Sequence, residues 1–424
     1  MKSYLKYGVA IAAMTMVPSL QADAAGFYIQ EQSASGQGAS FAGEAAMPRN
    51  ATINFYNPAG LVDLDERQLS AGAALIVPFA DIDNAGSTMV GGPNAGPITG
   101  DVDNPYDPTP VPSFHIATPA DNNKDLWLAL SVTAPFGLAN EYDEDSFVRY
   151  DSVETDLATY DIQPSVAYRI NDQWSIGGGV DFQYADAKLS QAVDLGAGDG
   201  IAEFDGDALS VGWNAGVMYK PNTRTRLGAH YRSAISHDLE LDYTLTGPTG
   251  AVLASDASAS ADLDLPDIAN LSAAFDVDDQ WTVMGHVMWF GWNNFEDITA
   301  TSSAGATLTS VPQNYQNTMA YALGAEYQHN DQMTFRGGVQ YDETPTQDGF
   351  RTTRTPDGDR IWASVGGTYN INPALSMDLA LTYIDVAGER IDVSRTQPAG
   401  GTANIVADAK QRIGIAAVGL NFKF

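Results

Sequence analysis

Read in twos from its end, the chain places Phe424, Phe422, Leu420, Val418 and Ala416 on one face and Lys423, Asn421, Gly419 and Ala417 on the other. A period of two marks a strand. A greasy strand at a terminus suits a membrane barrel, whose last strand closes the wall and turns its outer face to lipid. A core strand of a soluble β-sandwich is the alternative. The same alternation runs back to Arg67. Leu69, Ala71, Ala73, Leu75, Val77 and Phe79 share one face of the first stretch. Trp174, Ile176, Val180, Phe182 and Tyr184 oppose Gly177, Gly179, Asp181 and Gln183. The pattern predicts strands near 68–79, 112–119, 125–138, 157–170, 173–190, 208–220, 224–243, 261–277, 280–297, 318–329, 332–343, 359–371, 374–387 and 409–424. These make 14, an even number, as single-chain bacterial barrels have.

One short motif recurs between strands: Asn171-Asp-Gln-Trp174, Asp278-Asp-Gln-Trp281 and Asn330-Asp-Gln-Met333. Each reads as a tight turn followed by an anchor at the headgroup layer, where Trp is favoured. Lys220-Pro-Asn-Thr223 and Asn370-Ile-Asn-Pro373 occupy equivalent places. The short turns are expected on one, periplasmic edge and the long acidic loops on the other, extracellular edge.

Residues 25–66 do not alternate. They are small and Gly-rich, with Ser35-Gly36-Gln37-Gly38 and then Asn57-Pro58-Ala59-Gly60. Asn then Pro is a helix start, and Gly60 follows too soon for a long helix. A compact segment ahead of a barrel most simply folds inside it as a plug.

Two strands depart from the rule. The third runs Leu126 to Thr133 and then meets Pro135, Phe136 and Gly137. Pro cannot donate to a ladder and Gly weakens one. Either the wall has a kink or side window there, or the strand simply ends at the rim. The ninth is apolar on both faces. Trp281, Val283, Val287 and Trp289 suit lipid, the two Trp lying about 25 Å apart at strand rise. Met284, Met288 and Phe290 then point inward, onto a hydrophobic ligand surface or against the plug.

Composition sharpens this picture. No apolar run reaches the length of a membrane-spanning helix. Lys2 and Lys6, an apolar stretch over 8–17 and Ala22-Asp23-Ala24 read as a signal peptide over 1–24, with a mature start at Ala25. There is no Cys, hence no disulfide. Net charge is −32, from 53 acids against 21 bases, which argues against nucleic acid. Acids gather over 101–107, 238–242 and 262–267, read as loops that either stay solvated or hold cations among anionic surface lipids such as lipopolysaccharide. No metal-ligand spacing occurs and no cofactor is expected. There is no Gly-x-Ser-x-Gly elbow. His115, His230, His237, His286 and His329 are scattered, and His230 and His237 fall on opposite faces of one continuous strand by their odd spacing. Catalysis is not expected.

These residues resemble the outer-membrane long-chain fatty acid transporters of the FadL/TodX type. The shared features are Ala25-Gly26-Phe27, Ser35-Gly36-x-Gly38, Gly43-Glu44, Asn57-Pro58-Ala59-Gly60, Pro135-Phe-Gly-Leu-Ala-Asn-Glu-Tyr142, Gly212-Trp-Asn-Ala-Gly216 and Pro356-Asp-Gly-Asp-Arg-Ile-Trp362. They cover essentially the whole mature chain in order. The resemblance implies an all-β membrane protein: a 14-stranded antiparallel barrel over 67–424 with a plug over 25–66. It implies capture of hydrophobic ligands by extracellular loops and a site beside Phe27. Release is then sideways into the bilayer at Pro135, Phe136 and Gly137. Such a barrel can work as a monomer. One departure concerns the ligand carboxylate, which fatty-acid members are expected to hold with basic side chains. Here no Lys or Arg lies between Arg232 and Arg336. Lys188, Arg351, Arg354 and Arg360 are the substitute candidates. Passive uptake of fatty acids is the favoured reading. A neutral or aromatic hydrocarbon channel, a general aqueous porin, and a loop-borne adhesin or phage-receptor role are the alternatives.

Overall fold

The computed structural model describes residues 26–424. The signal peptide and the mature start at Ala25 lie outside the described residues. Fourteen wall strands form one antiparallel sheet closed on itself. The first six are Gln68–Asn84, Thr109–Pro119, a third in two pieces (Leu126–Thr133 and Gly137–Glu141), Glu154–Arg169, Trp174–Asp194 and Asp199–Asn222. The seventh and eighth are also in two pieces, Thr225–Arg232 with Ile235–Thr246 and Val252–Leu265 with Ile268–Asp276. The rest are Trp281–Phe290, Thr318–Gln328, Met333–Asp342, Arg360–Asn372, Leu375–Thr396 and Thr402–Lys423. The last strand pairs with the whole of the first, from Gln68↔Lys423 to Asn84↔Ala407. Closure satisfies the backbone at the seam, as lipid requires.

Alternation decides which way each side chain points. Leu420, Phe422 and Phe424 face outward, as do Trp281, Val283 and Val287, while Met284, Met288 and Phe290 are buried inside. Leu323 is 71% exposed and Leu381 61%. On a barrel wall these are lipid contacts.

The short turns share one rim and the long connections the other. The recurrent motif builds three copies of one turn. Asn171 Oδ1 accepts from the N–H groups of Gln173 and Trp174, both at 2.9 Å. Asp278 does the same for Gln280 and Trp281 at 2.8 Å, and Asn330 for Gln332 and Met333. Trp174 then stacks on Tyr219 at 4.2 Å and Trp281 lies 4.7 Å from Tyr327, aromatic pairs placed at the short-turn rim.

Two expectations are corrected. The acid-rich stretches 238–242 and most of 262–267 are strand, as the alternation over 224–243 and 261–277 has it and against their reading as loops, because Leu239, Leu241, Leu263 and Leu265 alternate inward with the acids. Their pairing sets Asp238 opposite Asp262 on the outer face. The seventh strand is not continuous. It breaks at Ser233 and Ala234, which resets the alternation, so His230 and His237 are both buried.

Residues ahead of the first strand fold as short helical turns: Ala34–Gln37, Glu44–Ala46, Ile53–Tyr56 and Pro58–Asp63. Nearly all are buried, and they meet the inner faces of the wall. Asn57 caps the last turn through Oδ1 to Ala59 N–H at 3.1 Å, and its amide donates to Ala45 O at 2.8 Å and to Val217 O at 3.2 Å. The wall admits this contact only because Gly216 stands there; a Cβ would collide with Asn57 Oδ1. Three ionic groups tie the segment down. Arg49 joins Glu44 at 2.5 Å to Glu326 at 2.9 Å. Asp63 takes Lys220 at 2.5 Å and Arg169 at 3.3 Å. Arg232, held by Asp161 and Asp181, donates to Phe55 O at 3.2 Å. Removing one partner of such a buried pair typically costs about 3–5 kcal/mol.

Candidate functional site

The third strand stops at Thr133 and resumes at Gly137. Its first piece pairs with the second strand only from Phe114↔Val132 to Pro119↔Trp127. Its second piece pairs with the fourth strand alone, from Gly137↔Ala158 to Glu141↔Glu154. The second strand continues to Thr109, paired on its other side with the first. Between 109–113 and 134–141 the wall therefore has no ladder. The residues singled out at Pro135, Phe136 and Gly137 sit at this gap.

The chain's own N-terminal residues take up backbone groups at the break. Ile29 N–H donates to Pro135 O at 2.8 Å, and Gly137 N–H donates to Phe27 O at 2.8 Å. Tyr28 bridges Phe136 between them. Phe27 packs on Trp292, Phe295 and Phe136, with ring centroids 4.7, 5.4 and 6.2 Å apart. Gly26 has φ +62, and a Cβ there would lie 2.6 Å from the Trp292 ring. Only glycine gives this turn without strain.

Phe27 also lines a narrow apolar cavity of about 70 Å³. Leu138, Leu157, Phe204, Leu241, Leu263 and Phe295 are among the apolar residues that line it. The lining suits a slender hydrophobic group. Its few polar groups include Arg354, Thr355 and Gln313. Met284, Met288 and Phe290, expected as ligand contacts, do not line it. Met284 clusters with Ala42 and Met47, and Phe290 lies 5.4 Å from Tyr28. They pack against the N-terminal segment, the other role open to them.

The four basic candidates part company. Lys188 lies on the outward-facing side of its strand, bound to Glu154 at 2.9 Å and Glu203 at 3.6 Å. Arg351 pairs with Asp348 at 2.9 Å and Glu389 at 3.6 Å. Arg360 pairs with Asp357 at 2.5 Å. None of these three lines the cavity. Arg354 does, and it makes no ion pair among the described residues. Its guanidinium donates to neutral groups: Glu154 O and Thr155 Oγ1 at 2.9 Å, and Ser190 O at 2.9 Å. Asn140 Nδ2 holds the Arg354 carbonyl at 2.7 Å. Burial pulls the guanidinium down to about 10, with Asp151 pulling it back, so it stays charged at neutral pH.

Of the aromatic partners of Phe27, Phe136 was singled out from the sequence, while Trp292 and Phe295 were not. The strand expected over 280–297 ends at Phe290, so Gly291-Trp292-Asn-Asn-Phe295 and Tyr315 fall in the long connection that follows. The density of rings from Trp289 to Phe295 is the signal that could have marked them.

Residues 15–424 match the family model described as Outer membrane protein transport protein (OMPP1/FadL/TodX). The long-chain fatty acid transport protein of Escherichia coli O6:H1 is 31% identical over 411 residues, covering 88% of this chain and 90% of that protein. Outer membrane protein P1 of Haemophilus influenzae is 26% identical over 456 residues, covering 98% of each. A FadL homologue from Pseudomonas aeruginosa superposes with TM-score 0.86 at 26% identity, covering 94% of this chain and all of that one. The toluene transporter TbuX of Ralstonia pickettii shares the fold, with TM-score 0.64 at 20% identity over 89% of this chain and 95% of that one. With the closed 14-stranded wall, these likenesses place the chain in the OMPP1/FadL/TodX family of outer-membrane transport proteins.

Proposed function

We propose that this outer-membrane channel takes up long-chain fatty acids, holding the tail in the apolar cavity and the carboxylate at Arg354. The observation that carries this is a buried guanidinium, without an ion pair among the described residues, at the wall of a largely apolar cavity. A buried charge is costly unless it is paired, and a ligand carboxylate supplies the missing partner. The tail contributes about 0.8 kcal/mol per buried CH₂, so capture needs no energy source. Residues 25–66 act as a plug anchored through Asn57, Pro58, Ala59 and Gly60. The long-loop rim faces outward and collects ligand. Release runs past Phe27 to the break at Pro135, Phe136 and Gly137 and into the bilayer. The filled lumen speaks against an aqueous porin, and neither catalysis nor a cofactor belongs to this reading.

The test is equilibrium binding of oleate, oleyl alcohol and toluene to native protein and to Arg354→Gln. Native protein should favour oleate over the alcohol by tenfold or more, and Arg354→Gln should lose that margin while keeping the alcohol's affinity. Equal binding of all three by native protein would instead make this a neutral hydrocarbon channel.

A further inference from the structure

We infer that Asp151 and Arg395 are positioning residues for ligand binding: Asp151 fixes the loop that carries Arg354, and Arg395 occupies the Asp151 carboxylate so that Arg354 stays open to the ligand. The inference rests on reading Arg354 as the carboxylate partner, and concerns what keeps that guanidinium in place and unpaired.

Arg354 belongs to no strand. It lies in the connection between the eleventh and twelfth strands, where residues 351–357 are all buried. A buried loop has no ladder, so its backbone groups need other partners. The second piece of the third strand and the connection after it supply them. Asn140 Nδ2 donates to Arg354 O and Tyr142 Oη to Thr353 O, both at 2.7 Å. Asp151 takes the donors of the same stretch. Its Oδ2 accepts from Thr353 N–H at 2.7 Å and from Thr353 Oγ1 at 2.6 Å. Thr353 thus has its N–H, hydroxyl and carbonyl all engaged, and Arg354 follows it directly. The guanidinium also donates to Ser152 Oγ at 3.3 Å, one residue from Asp151.

The other carboxylate oxygen of Asp151 goes to Arg395, near the end of the thirteenth strand, whose Nε and Nη2 lie 2.8 and 2.5 Å away. Asp151 is fully buried and Arg354 nearly so. Two guanidinium groups thus share the neighbourhood of one buried carboxylate. Arg395 takes the direct contact, and Arg354 is left with neutral acceptors. Glu154, whose carbonyl accepts from Arg354, turns its own carboxylate to Lys188 on the outer side. A ligand carboxylate brings the second negative charge that the pair of guanidinium groups calls for. Without Arg395, Asp151 would be buried with hydrogen bonds but no cation, and such a charge is costly. Arg354 is the cation beside it, already within its field. Losing Arg395 therefore turns Asp151 onto Arg354 and closes the site to an anion.

The test is equilibrium binding of oleate and oleyl alcohol to the purified full-length protein, native and with Arg395→Gln, Arg395→Gln/Asp151→Asn, Arg354→Gln and Arg354→Gln/Arg395→Gln. Arg395→Gln should lower oleate affinity at least about tenfold and leave the alcohol's unchanged. Adding Asp151→Asn removes the competing charge and keeps a side-chain oxygen for Thr353. It should restore oleate affinity to within about threefold of native, the coupling expected of groups in one network. With Arg354 already replaced, Arg395→Gln should make no further difference to oleate. Equal losses of oleate and alcohol in Arg395→Gln would reduce Arg395 to a support of the fold and overturn the inference. So would an unchanged oleate affinity in Arg395→Gln, or a double variant that recovers nothing. Should Arg354→Gln still lose the oleate preference in that case, the reading of Arg354 stands and only the inference falls. An unchanged preference in Arg354→Gln overturns both.

Discussion

At the scale of single residues, the interior is organised by charges that lack ordinary solvation. Arg354 is one. Glu31 is another, buried with Oε2 lacking a hydrogen-bond partner among the described residues. Burial pushes its carboxyl from 4.5 to about 7, against the opposing pull of backbone N–H groups and Arg360. Unfolded, the group titrates near its ordinary value. Between that value and about pH 7 the folded protein holds the extra proton. Stability therefore falls as pH rises through this window and levels off above it. Glu31→Gln should match the native unfolding temperature near pH 4 and exceed it by several degrees at pH 8, a gain of roughly 1–3 kcal/mol. Thermal unfolding in detergent at the two pH values checks this; a loss of stability at pH 8 would give the charge a structural role. The sequence could nominate Lys188, Arg351, Arg354 and Arg360 but not choose among them. Lys188 meets Glu154 and Glu203 on neighbouring strands, which a linear reading cannot show, whereas Arg351 and Arg360 each meet an acid three residues away, Asp348 and Asp357. The facing of Met284 and Met288 was legible from alternation. That they pack on the N-terminal segment depends on where that segment lies.

At the scale of elements, the wall was readable wherever one face is greasy and the other is not, because a one-residue slip would reverse every side chain. The break at Pro135 was readable because Pro and Gly coincide there. The break at Ser233 and Ala234 carries no such mark, and it alone brings His230 and His237 to the same side. The strands also run further past the membrane than alternation of apolar with neutral residues suggests, since their outward positions there are acids. The tip of the N-terminal segment touches both the cavity and the gap, Phe27 lining the one and packing on Phe136 at the other. Phe27→Ala removes three ring contacts and should cost about 3 kcal/mol locally. With the stopper gone, release of a fluorescent fatty acid followed by stopped flow should speed up at least fivefold. An unchanged release rate would remove Phe27 from the path.

At the scale of the whole molecule, a closed wall surrounds a filled lumen. Salt links at Arg49 and Asp63 and a hydrogen bond from Arg232 to Phe55 O bind the N-terminal segment to strands around the barrel, so wall and segment form one body. Reconstituted in a planar bilayer, the protein should be nearly silent to ions, and steady porin-like steps would contradict the reading. The central claim is that the hydrophobic ligand occupies the cavity beside Phe27. Ala187 lines that cavity and faces inward, so Ala187→Phe fills it without altering the lipid-facing surface. Equilibrium binding of oleate to native protein and to this variant is the most direct measurement. The expected result is at least a thirtyfold loss of affinity in a variant that still folds and inserts. Unchanged affinity would place the ligand elsewhere and contradict the assignment of the cavity.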